Sequence, residues 1–241
     1  MRDRPCIDTI ERPRGQDSQP GKWYVANPEL EELTFENLPA SFFERLLRAV
    51  FAAHKVAAEE CSATFDHPEA ENILGFYRRA KLEGFMRDVA RMERVHAEVV
   101  RSKKSSWNHT ELRSGPIVLT ASSVQTPCDL VEEADFRRTL ARDSQGFLWP
   151  EPGDEPEPDA QLYVLLLHSK SRWMNRDDQA RFGHLPGSAY LAYPAPDLSS
   201  YVHEINLFER FPRVIESLLP QEWDSEAKVR YLHNTRQVVT A

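Results

Sequence analysis

The apolar residues of this chain change their period at Gly115 and Pro116, and that change dictates most of what the chain can fold into. Upstream, Phe42, Phe43, Leu46, Leu47, Val50, Phe51 and His54 recur at three- and four-residue intervals, which places them on one face of an α-helix. Downstream, residues 117–124 alternate as a strand does, and residues 162–167 are apolar on both faces, as in a central strand. The pattern predicts an α+β fold: an N-terminal antiparallel helical hairpin, then a small, mainly antiparallel sheet with flanking helices.

The first helix is expected over residues 41–61, opened by a capping box of Ser41 and Glu44. A second start follows, with Asp66 three residues before Glu69 and Pro68 in the first turn, where its missing N–H costs little. Its apolar stripe predicts a helix from about residue 67 to 102, with Gly84 in its middle. Residues 135–143 read as a short helix, 189–193 and 201–207 as an antiparallel strand pair, and 211–219 and the stretch after Asp224 as helices. Prolines and charges dominate residues 1–36, which are expected to form an extended or mobile arm. The acidic, proline-rich stretch 150–159 reads as a solvated loop between strands. The expected division is thus arm 1–36, hairpin 37–105 and α+β region 106–241, with the last two either separate or sharing one core.

Hydrophobic residues at 41% and charged residues at 28% are the balance of a globular chain. The net charge of -8 disfavours nucleic acid and anionic membranes unless basic groups cluster. No apolar run is long enough to span a bilayer and the N-terminus carries no apolar leader, so a cytoplasmic location and no membrane partner are expected. Cys6, Cys61 and Cys128 are odd in number and widely spaced, and read as free thiols. Trp149, Trp173 and Trp223 would suit a homo-oligomer interface as readily as a core.

No phosphate loop, dinucleotide fingerprint, zinc spacing or nucleophile elbow is present, so neither a cofactor nor a metal is called for and the reading leans away from an enzyme. Three polar clusters remain. His109 and Glu111, between the long helix and the first strand, have the residue types of an acid–base pair or metal ligands; the plainer reading is a solvated loop. His168, Lys170 and Arg172 follow the most apolar strand, where Lys170 and Arg172 would hold an anion. His203 and Glu204 fall on opposite faces of a strand, His203 with its apolar side. A PD-(D/E)xK nuclease would need an acid two residues before Lys170, and His168 stands there instead.

Basic residues gather on the second helix: residues 77–104 hold nine Lys or Arg against four Asp or Glu. Arg87, Arg91 and Arg94 are spaced to line one helical face, with Lys103 and Lys104 beyond. The leading expectation is therefore a non-enzymatic regulatory or adaptor protein contacting nucleic acid or an acidic protein surface through this helix. The rivals are a metal-dependent hydrolase or nuclease using His109, Glu111, His168, Lys170, His203 and Glu204 in one cleft, and a protein-interaction module built on the proline-rich segments.

Overall fold

The computed structural model describes residues 27–101, 107–126, 129–148, 160–171 and 182–237. Three helices come first: α1 (Asn27–Asn37), α2 (Ala40–Thr64) and α3 (His67–Glu93). Strands β1 (His96–Arg101), β2 (Asn108–Ser114) and β3 (Ile117–Ser123) follow, then α4 (Asp135–Asp143) and α5 (Gln145–Leu148). The chain continues with β4 (Leu162–Lys170), β5 (Pro186–Pro194), β6 (Tyr201–Asn206), α6 (Leu207–Arg210), α7 (Pro212–Leu218) and α8 (Ser225–Gln237). The fold is α+β, and the helical hairpin of α2 and α3 precedes the sheet as expected.

The six strands lie side by side in chain order, with every neighbouring pair antiparallel except β3 and β4, which run parallel. A parallel pair needs a crossover, and α4 lies in the connection that supplies it. Strands β4 and β5 are buried along nearly their whole length, because each sheet face is covered. On one face Leu162, Val164 and Leu166 pack with Phe42, Phe43, Leu46, Leu47 and Met86 of the hairpin and with Ile215 and Tyr231. On the other, Val118, Tyr163, Leu165, Leu167 and Tyr190 pack beneath Leu140 and Ala141 of α4. Helices and sheet therefore share the first core, and a single buried methylene contributes about 0.8 kcal/mol to such a core.

Four local expectations are corrected. Helix α3 stops at Glu93, where Arg94 turns left-handed at φ 59°, and residues 96–101 form an edge strand instead of helix. Val95, Val99 and Val100 favour extended backbone, and the six-residue pairing with β2 supplies the hydrogen bonds that a longer helix would have made. Residues 108–114 are a strand, with His109, Thr110, Glu111 and Leu112 buried, not a solvated loop. The arm expected to reach residue 36 is helical from Asn27, because Leu30 and Leu38 find the core. The Ser41–Glu44 capping box does not form: Pro39 is the N-cap, and the Ser41 hydroxyl donates instead to Glu93 at the far end of the hairpin, 2.8 Å away. Gly84 has no close neighbour, only the Arg87 side chain at 3.9 Å. The expected arm up to residue 26 and the acidic loop 150–159 lie outside the described residues.

The β2–β3 turn depends on Gly115, whose φ is +54° and whose missing Cβ leaves room for the Asn37 side chain. A Gly115→Ala variant is expected to lose about 1–2 kcal/mol from the backbone alone, with a further loss from crowding Asn37; urea unfolding measures it. An unchanged midpoint would contradict the assigned turn.

Candidate functional site

Between β2 and β3 the sheet parts. The ladder joining them runs only from Leu112↔Leu119 to Ser114↔Ile117, whereas β1 follows β2 back to Asn108 and β4 follows β3 out to Ser123. Residues 108–111 and 120–123 thus border an opening at the C-terminal end of the parallel pair, the end at which open α/β sheets place their ligands.

The side chains at this opening on the α4 face are polar yet buried. His109 and Glu111 are 3% and 4% exposed, and on one strand face they meet: His109 Nε2 donates to the Glu111 carboxylate at 2.9 Å. Arg113, the next residue on that face, donates to the other Glu111 oxygen at 2.6 Å and to Gln161 at 3.0 Å. The bond from His109, helped by Arg113, holds the Glu111 carboxyl below its ordinary range, so it remains an acceptor and fixes the proton of His109 on Nε2. His109 Nδ1 is left buried without a partner.

Helix α4 brings the complementary charge. Phe136 stacks on the His109 ring at 3.7 Å between centroids, and the Arg137 guanidinium lies 5.0 Å from the Phe136 ring. Arg137 donates to Ser122 Oγ at 3.0 Å and to the Glu132 carbonyl at 2.7 Å, while its Nε–H is buried and unpaired. No carboxylate among the described residues pairs with it. Thr120 and Tyr163 share a hydrogen bond at 2.9 Å beside it, and burial keeps the Tyr163 phenol protonated. The opening therefore collects a guanidinium with no carboxylate partner among the described residues, an imidazole whose Nδ1 makes no hydrogen bond, and several hydroxyls.

The other sequence candidates are placed apart from this group. His168 points to the opposite, helix-covered face, where its Nδ1 is 3.0 Å from His54 Nε2. His203 also lies on that face, two strands away, stacked on Tyr193 at 5.6 Å. Lys170 is exposed at the end of β4, and Arg172 lies outside the described residues. Glu204 shares the α4 face with His109 and Glu111 but sits four strands away on β6, roughly 19 Å at ordinary strand spacing. The single cleft expected for these six side chains does not form.

The basic stripe is also broken up. Arg87 donates to Thr110 Oγ1 at 2.8 Å, Arg91 pairs with Asp88 at 3.0 Å, and Arg94 is the left-handed cap beyond the helix. Lys103 and Lys104 lie outside the described residues. Among the described residues no group of three or more His, Cys, Asp or Glu converges to hold a metal ion, and no helix is long and apolar enough to cross a membrane.

Arg137, Tyr163 and Ser122 were not singled out by sequence. Their only sequence signal is Thr120 and Ser122 alternating on one face of a strand that is otherwise apolar. His54 likewise shows only as a histidine within the apolar stripe of α2.

Glu204 has its own consequence. Burial raises its carboxyl to about 7, and its Oε1 has no partner. The folded state thus holds a proton that the unfolded chain releases near 4.5, and stability falls as pH rises from 4.5 towards 7. A Glu204→Gln variant is expected to gain up to about 3 kcal/mol at pH 8 and nothing at pH 4; chemical unfolding at both values measures it, and equal effects at the two would contradict the burial.

Comparison with known proteins yields no relative: no family model, no curated protein and no solved structure matches this chain. Its class is that of a mixed α+β protein with helices on both faces of a six-stranded sheet and a polar opening between two of the strands.

Proposed function

We propose that this chain binds a small phosphate- or carboxylate-bearing molecule where β2 and β3 part, and acts on it by acid–base chemistry. The observation that carries the reading is the His109–Glu111 dyad, whose free Nδ1 shares Phe136 with the unpaired Nε–H of Arg137. A guanidinium offers planar donors that match an oxyanion, and a site built around one unpaired buried cation favours a negatively charged ligand. Glu111 holds the imidazole in the tautomer that presents Nδ1 as a base. Tyr163 and Ser122 add hydroxyl donors beside it.

Contact with nucleic acid or an acidic protein through α3 has less support, because Arg87 is tied to Thr110 and Arg94 has left the helix. A role for the proline-rich segments falls outside the described residues. The test is a panel of small phosphate esters and carboxylic esters incubated with the full chain and followed by mass spectrometry. Turnover of a panel member should fall by about 10²-fold or more in His109→Gln, with binding retained. Absence of binding by any anionic probe would contradict the proposal.

A further inference from the structure

We infer that the chain forms a two-fold dimer in which β1 of one copy pairs antiparallel with β1 of the other, centred on Ala97, so that the sheet runs on from copy to copy. β1 ends the sheet: it is bonded to β2 on one side, and among the described residues no strand lies on the other. The opposite edge, β6, has α1 packed against it. His96, Glu98, Val99 and Arg101 are exposed, and the strand carries no proline, lysine or bulge, the devices that commonly blunt an edge. Its outward N–H and C=O groups are therefore free to accept a second strand.

The occupant follows from the pattern of charge along β1. A two-fold axis perpendicular to the sheet keeps each face on its own side, so a side chain meets one from the same face of the other copy. Axes through Ala97, Glu98 or Val99 all pair stretches of similar length. The axis at Glu98 sets that carboxylate against its own copy, and like charges directly opposite are destabilising. The axis at Val99 sets Glu98 against Val100 and Arg101 against Ala97, leaving each charge without a complement. The axis at Ala97 sets His96 of each copy against Glu98 of the other, an imidazole donor facing a carboxylate acceptor. On the opposite face it sets Val99, 49% exposed, against Val95, which is partly buried on the helix-side core. The register inside each copy adds a second reason. Glu98 stands directly opposite Glu111, and His96 opposite Arg113, so each outer side chain has a group on its inner side that offers it no complement. Pairing at Ala97 supplies that complement on the outer side of both. The contact lies on the outer edge of β1 and does not rest on the function proposed for the opening between β2 and β3.

Sedimentation velocity of the full chain, from about 1 to about 500 µM, tests the inference. A contact through one short strand buries less than the ~1,200 Å² of a tight interface, so the dimer should fill over this range and dissociate on dilution. Assembly should stop at two copies, because the pairing is closed by its own symmetry. His96→Glu and Glu98→Lys should each weaken the dimer about tenfold or more, since each acts at both symmetric pairs. The double variant, His96→Glu with Glu98→Lys, restores opposite charges in the Ala97 register and should recover the wild-type affinity. Thermal midpoints at 1 µM, where all four proteins are monomers, check that the fold is kept. A wild type that stays monomeric at 500 µM would overturn the inference and leave the edge to a strand of a different protein. A dimer that both single variants leave intact would place the interface elsewhere, and a double variant as weak as the single ones would refute the Ala97 register.

Discussion

Replacing Arg137 with methionine should weaken binding of an anionic ligand such as methyl phosphate by about 10²- to 10³-fold, while leaving the thermal midpoint unchanged or higher. The two effects have opposite origins. Removing one side of a buried charge-assisted contact costs about 2–5 kcal/mol of binding. Removing an unmatched buried charge from the free protein, and replacing it with an apolar chain of similar length, is commonly neutral or stabilising. The hydrogen bonds from Arg137 to Ser122 and the Glu132 carbonyl work against that gain, at about 1 kcal/mol each. Isothermal titration and thermal unfolding on the same sample separate the two effects. A variant that binds as well as the parent, or one that loses binding only because it unfolds, would remove Arg137 from the site.

Acidification should destabilise the fold over a defined window. The folded-state pKa of His168 is pushed by burial from 6.5 to about 4, and that of His54 is lowered as well by burial and by His168 beside it. The unfolded chain therefore takes up protons below about 6.5 that the folded chain refuses. Stability is fully present above that value and is lost as pH falls towards 4. His168 alone accounts for about 3 kcal/mol across this range, a large share of an ordinary domain's 5–15 kcal/mol. Glu204 acts in the opposite direction, losing stability as pH rises from 4.5 towards 7, so in the wild type the two slopes partly offset each other. Urea unfolding at several pH values, in a Glu204→Gln background, exposes the histidine slope. Adding His168→Gln should flatten it; an undiminished slope would show that the histidines are not its source.

Much of the fold could be read from the chain because local period and burial agree. Strands β3 to β6, helix α2 and α4 carry apolar residues whose spacing points to the faces the structure buries; the stripe read on α3 through Ile73, Tyr77, Ala80, Phe85, Val89 and Met92 does not, because that helix buries Arg78, Leu82, Met86, Val89 and Ala90 and leaves Met92 60% exposed. What escaped the sequence had no such run. β2 reads Asn-His-Thr-Glu-Leu-Arg-Ser, with polar side chains on its buried positions, because those positions form the opening and not the core. β1 follows a helix whose stripe continues through Val95 and Val99, and only pairing with β2 turns that stripe into a strand. The candidate site was half legible. His109 and Glu111 stood out as an acid–base pair two residues apart, but their partner Arg137 comes from a helix 26 residues downstream, brought near by the crossover between the parallel strands. The basic face of α3 misled for a related reason: charge counted along a helix does not reveal which arginines the sheet beneath will engage, as Thr110 engages Arg87.

The pairing of His109 and Arg137 around one anionic ligand is tested most directly by a titration of methyl phosphate followed by two-dimensional ¹H–¹⁵N NMR. The Nε–H signal of Arg137 and the imidazole signals of His109 should shift together and saturate at one common affinity. Signals that remain fixed while the ligand is in large excess, or that shift with different affinities, would contradict it.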